Sequence, residues 1–91
     1  MDDNNEYYFT FGTGYPLANF VQQVSAPDEA AARRGMHRFY ADRWAFCYRA
    51  EECFPAVEGD RVVLPGGTTM QRIPRKIVVN GDEIYDEIYV E

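Results

Sequence analysis

Residues 25–41 read SAPDEAAARRGMHRFYA, and the fold turns on how this stretch is read. Ser25 or Ala26 at the cap, Pro27 in the first turn, and Asp28 and Glu29 at the positive end of the dipole make a helix start. From there to about Ala41, Asp28, Ala32, Gly35/Met36 and Phe39 recur at helical spacing, with Ala31 and Tyr40 flanking them. Arg33, Arg34, His37 and Arg38 lie mostly off that stripe. Glycine in a helix interior is about 1 kcal/mol worse than alanine. Gly35, beside the small Ala32, therefore points to a helix backbone lying close on a sheet.

Strands are expected on both sides of this helix. Residues 18–24 (ANFVQQV) precede it and residues 44–48 (WAFCY) follow it. In the second, Trp44, Phe46 and Tyr48 alternate to one side and Ala45 and Cys47 to the other. Residues 6–11 (EYYFTF) read as a further strand, antiparallel to 18–24 across the loop Gly12-Thr13-Gly14-Tyr15-Pro16. Downstream, residues 51–54 suit a short helical turn and residues 61–64 a short strand. Pro74 demotes any strand within 68–75 to an edge. Residues 76–79, Asn80-Gly81 and 82–90 read as a hairpin with a type I′ turn. The expected fold is α+β in one domain, residues 1–91: an antiparallel sheet with a β-β-α-β core, one helix across it and a C-terminal hairpin. Trp44, Phe46, Phe39, Met36 and Phe11 are the expected core.

Ninety-one residues with 46% hydrophobic and 15% aromatic content supply bulk for one core and argue against a disordered chain. Apolar runs are too short for a membrane span. Met1 is followed by Asp2, Asp3, Asn4 and Asn5 rather than an apolar segment, so no secretory signal is read and a cytoplasmic location is expected.

Chemistry-bearing types are sparse. The chain has one His and one Ser, and Ser25 and His37 at opposite ends of one helix, about 18 Å apart, do not form a triad. Cys47 and Cys53 match no zinc-ligand or redox spacing and read as small buried thiols without a disulfide. No metal or cofactor is expected. Gly12-x-Gly14 lacks the third glycine and following helix of a phosphate-binding turn, and Gly66-Gly67 lacks the P-loop lysine. Adjacent acids such as Glu51/Glu52 sit on turns and strand ends, where solvation leaves them without the unlike environments that acid–base work needs.

Charge distribution says more. Net charge is −6, yet residues 1–32 and 77–91 each carry five acids and no base, while all nine bases lie between Arg33 and Lys76 with five acids. A chain with this balance repels nucleic acid except at a local basic patch, so no direct nucleic-acid binding is expected. Arg34 and Arg38 share a helical face and, with Arg43, form a candidate anion- or partner-binding patch. The tail offers the opposite sign: Asp82, Glu83, Asp86, Glu87 and Glu91, interleaved with Tyr85 and Tyr89. On a strand, Glu87 and Glu91 share a face with Tyr85 and Tyr89, and side chains along that face follow at roughly 7 Å intervals, the scale of successive phosphates in a nucleic-acid strand. Such a strip suits a groove built for phosphates and bases. As a bare structural feature it is an acidic edge strand kept from pairing by its charge.

Residues 8–48 resemble a family of small uncharacterised phage and prophage proteins. The matching features are Tyr8-x-Thr10-Phe11-Gly12-x-Gly14, Asn19-Phe20, Ala26, a helix with Ala32-Arg33 and Met36, and Trp44-Ala45-Phe46-x-Tyr48. From Glu51 onward the chain departs from that pattern. The resemblance brings no activity and no site residues. It implies a phage-borne accessory protein, and by analogy an inhibitor of a bacterial defence complex of the anti-CRISPR kind. The expectation is therefore a non-enzymatic protein-binding chain whose acidic ends occupy a basic groove, as on a nucleic-acid-binding complex. The alternative is a small enzyme or an anion-binding module using the arginine-rich helix.

Overall fold

The computed structural model describes residues 4–12, 14–55 and 60–88. In chain order these form β1 (Asn5–Phe11), β2 (Phe20–Ala26), α1 (Glu29–Tyr40), β3 (Trp44–Arg49), a 3₁₀ turn (Ala50–Glu52), β4 (Phe54–Pro55), β5 (Arg61–Val63), β6 (Thr69–Arg72), β7 (Arg75–Asn80) and β8 (Glu83–Ile88). The fold is α+β, with α1 packed across the sheet and a C-terminal β7–β8 hairpin.

The helix starts two to three residues later than its sequence suggests. Ser25 and Ala26 stay in β2 and are buried, Pro27 lies in the link, and Asp28 is the cap, its Oδ1 accepting from the Ala31 amide at 2.8 Å. Asp28 wins because its carboxylate can reach an unpaired first-turn donor, whereas Ser25 is committed to the strand and its Oγ accepts from Asn4. Ala31, Ala32, Gly35 and Met36 form the buried stripe.

β2 organises the sheet. It is antiparallel to β1 on one side, which in turn pairs antiparallel with β3. On its other side two strands share one edge: β6 runs parallel to the Phe20–Val21 end and β7 parallel to Val24–Ser25. The sheet is thus mixed, with these parallel pairings added to an antiparallel framework. Pro74 sits between β6 and β7, and the preceding Ile73 amide donates to Val21 O at 2.9 Å. The proline does not make its neighbourhood an edge. β6 is interior, paired with β2 and β5, and the missing N–H falls where the ladder changes partners.

The branching gives β2 a core on each face. Phe9, Phe11, Val24, Met36, Ile77 and Val79 pack under the helix, while Val21, Cys53, Val62 and Leu64 pack on the opposite face with Tyr8, Tyr48 and Met70. Gln22, 1% exposed, is a polar residue inside the first layer. Its Nε2 donates to the carbonyls of Gln23 and Arg75, and its Oε1 accepts from the Tyr40 hydroxyl at 2.8 Å. Every polar atom of the side chain is therefore matched, which removes the penalty of burying it and ties the end of α1 to β2 and β7.

β3 departs from simple alternation. Phe9 pairs with Cys47 but Phe11 with Trp44, so β3 carries one extra residue there, a bulge. The Phe46 amide donates to the Thr10 hydroxyl at 3.3 Å. Trp44 consequently turns to the helix side and packs edge-on against Phe9, ring centroids 5.0 Å apart, while Phe46 is left 64% exposed. Of the expected core, Met36 and Phe11 are buried and Trp44 packs against them, but Phe46 and Phe39, the latter 42% exposed, do not belong to it.

Asn80 pairs with Glu83, so the hairpin loop is Gly81-Asp82 rather than Asn80-Gly81. Gly81 has φ +61° while Asp82 stays at negative φ, the sign pattern of a type II′ turn in place of the expected I′.

Candidate functional site

The outward side of α1 carries Ala30, Arg33, Arg34, His37 and Arg38, with Ala41 just past its end. With Trp44 on one flank, Ile84 on the other and Asp42 at its end, it lines an open groove of about 580 Å³. Its cations are not equivalent. Arg33 is engaged: it bridges to Glu29 at 2.6 Å one turn earlier and lies 5.5 Å above the Trp44 ring. Arg34 and Arg38 form no ion pair among the described residues. They are held at i,i+4 on the solvent face, where neither can relieve the other's charge. His37 stands beside both. The spacing of Arg34 and Arg38 was legible in the sequence. That Trp44 walls the groove was not, because the bulge that turns it there depends on how β1 and β3 pair.

Arg43 lies elsewhere. It follows the helix and lines a smaller pocket with Phe11, Tyr15, Pro16, Leu17 and Tyr40. Of the expected patch Arg34, Arg38 and Arg43, the structure keeps Arg34 and Arg38 together, beside Arg33, and sets Arg43 apart.

The acidic tail is also divided. Ile84 and Asp86 stand opposite Val79 and Ile77 on the helix side of the hairpin, and Tyr85 and Glu87 stand opposite Val78 and Lys76 on the other. Asp86 bridges to Arg75 at 3.0 Å, and Lys76 lies across from Glu87. Both bases come from β7, so pairing the strands brings counter-charge onto a segment that has none of its own. Asp82 and Glu83 are exposed at the turn. Tyr89 and Glu91 lie outside the described residues, as does the expected end of the hairpin at 89–90.

The two thiols are separate. Burial pushes Cys47 up to about 11 from an ordinary value of 9, with Glu29 adding to the rise, and burial raises Cys53, with Glu52 adding to it. Both are protonated at neutral pH and so are poor nucleophiles. Ser25 is buried on β2 while His37 is exposed on α1. No group of three or more His, Cys, Asp and Glu side chains suited to a metal ion occurs among the described residues. Among those residues, no helix is long and apolar enough to cross a membrane. No family model, curated protein or solved structure matches the chain.

Proposed function

We propose that this chain is a non-enzymatic interaction protein that binds another protein directly, with the groove on α1 receiving an acidic segment of its partner. The observation that carries this reading is the pair Arg34 and Arg38, facing solvent without ion-pair partners among the described residues, beside His37 and the Trp44 ring. Guanidinium groups on a rigid helix suit carboxylates, and each contact formed there is charge-assisted. The protonated thiols and the separation of Ser25 from His37 favour binding over nucleophilic chemistry. A long polyphosphate reaching past the groove meets a chain of net charge −6, whereas a short acidic peptide meets only the groove.

Trp44 is the single tryptophan in the chain and reports on the groove directly. Titration with a polyglutamate peptide should change its emission saturably. Arg34→Glu with Arg38→Glu should abolish that change and leave the melting temperature nearly unaltered, since both side chains are exposed. No saturable change, an undiminished one in the double variant, or tighter binding of a single-stranded oligonucleotide than of polyglutamate would each overturn the reading.

A second reading keeps the acidic hairpin as a mimic of nucleic acid, directed at a basic complex such as the defence assemblies that phage inhibitors target. It is favoured by Asp82, Glu83 and Glu87 lying exposed on the edge strand β8 and its turn. With polyarginine as the probe and amide chemical shifts along β8 as the readout, Glu83→Gln and Glu87→Gln should weaken binding and flatten its salt dependence. Unchanged slope would leave the arginine groove as the binding surface.

A further inference from the structure

The loop between β1 and β2 and the end of α1 together form a pocket of about 180 Å³ with a distinct chemistry. Its walls are Phe11, Tyr15, Pro16, Leu17 and Tyr40, all apolar or aromatic, and Arg43 lines it as the one charged group. Arg43 forms no ion pair among the described residues, and it does not line the groove of Arg34 and Arg38. We propose that this pocket binds a small monocarboxylate with an aromatic body, of the size of 3-phenylpropionate: the ring enters between Tyr15, Leu17 and Tyr40, and the carboxylate meets Arg43.

Three features argue that the pocket is built before any ligand arrives. Phe11 and Tyr40 pack edge-on with centroids 5.0 Å apart, and the Tyr40 hydroxyl is anchored on the buried Gln22, which braces this wall. The loop is pinned by three successive turn bonds: the Tyr15 amide to Gly12 O, Ala18 to Tyr15 O and Phe20 to Leu17 O, at 3.2, 3.0 and 2.9 Å. Tyr15 rests on Gly12, where a Cβ would come within 3.3 Å of its ring, which gives that glycine a packing reason. Tyr15 is nonetheless 46% exposed, a large apolar surface at the pocket.

The end of a helix carries partial negative charge, which opposes a bound anion. Here two of the last carbonyls are already occupied, His37 O by the Ala41 amide at 2.9 Å and Tyr40 O by the Arg43 amide at 3.0 Å. The second bond fixes the Arg43 backbone at the pocket. An apolar slot with one cation at its side selects for an apolar body with one negative end, and a neutral analogue loses the charge-assisted bond.

The test is amide chemical-shift titration of the full chain with 3-phenylpropionate and, separately, its neutral amide. Saturable shifts at Phe11, Leu17, Tyr40 and Arg43, with the acid binding about tenfold tighter than the amide, are expected. Arg43→Gln should bring the two affinities together while retaining the weaker binding. Leu17→Trp should fill the slot and abolish both, and its spectrum shows directly whether the fold persists. Absence of saturable shifts at these residues overturns the proposal. So does an acid-over-amide preference that survives Arg43→Gln. Arg43→Gln touches neither Arg34 nor Arg38 and adds no tryptophan, so polyglutamate titration of that variant separates failure of this pocket from failure of the groove.

Discussion

Gly35 shows how one missing side chain sets the distance between two layers. A Cβ placed there would lie 2.8 Å from Val79 Cγ2 and 3.0 Å from Ile77 Cγ2, with Val24 Cγ1 at 3.7 Å. Both close atoms belong to β-branched side chains, which have few rotamers in which to retreat. Alanine would gain about 1 kcal/mol of helix propensity, but overpacking of a tight core is worth about 1–3 kcal/mol in the other direction. Gly35→Ala should therefore lower the midpoint of chemical denaturation, and Gly35→Val should lower it further. A midpoint equal to or above wild type would mean that α1 rides higher on β2 and β7 than the contacts indicate. The intrinsic cost of a helix glycine was visible in the sequence; the two methyl groups that justify it come from a strand more than forty residues away.

Among the elements, β3 best separates local pattern from tertiary outcome. Alternation assigned Trp44, Phe46 and Tyr48 to one face. One extra residue opposite Thr10 breaks that phase, so Trp44 joins Phe9 on the helix side and Phe46 goes to solvent. Truncation experiments should follow the observed faces. Phe9→Ala, at a fully buried position, should cost about 3–5 kcal/mol of unfolding free energy. Phe46→Ala should stay within about 0.5 kcal/mol of wild type, as for surface positions generally. Comparable losses at both sites would restore unbroken alternation. The hairpin teaches the same lesson: Asn80-Gly81 marked a turn correctly, but the strands close one residue along, on Gly81-Asp82. Ile77 and Val79 face α1, and Ile84 lies opposite Val79 on the same side.

For the whole molecule, several buried or half-buried acids of the thiol and phenol type act together. Burial raises Cys47 to about 11, and it also raises Cys53, Tyr8 and Tyr40 above their ordinary values. For Tyr8, Arg72 offsets part of that rise. In each case the folded chain holds the proton more tightly than the unfolded chain. Stability is then fully present below the unfolded value and falls as pH climbs toward the folded one. For Cys47 that window opens near pH 9 and closes near 11. Melting temperature should therefore be insensitive to these groups at pH 8 and decline above pH 9, and Cys47→Ala should make the decline shallower. An identical slope in the variant would show that the thiol is not shielded from water in the folded state.

The sequence by itself determined those features that depend on neighbours a few residues apart. Apolar and small residues at helical spacing specify α1 and the face it buries, and the same spacing sets Arg34 and Arg38 together on the opposite face. β-branched runs around Asn80-Gly81 specify a hairpin. From these the α+β class follows. Tertiary structure decided whatever depends on which strands meet. It put β6 and β7 on one edge of β2 with Pro74 at the break, and it bulged β3 against Thr10. It satisfied Gln22 from three elements and set Arg75 and Lys76 against the acids of β8. It also separated Arg43 from the other arginines and set it beside residues of the β1–β2 loop. Periodicity records which way a side chain points from its own backbone; a site arises from what stands opposite, and that is set by long-range pairing and by the volume two packed layers must share.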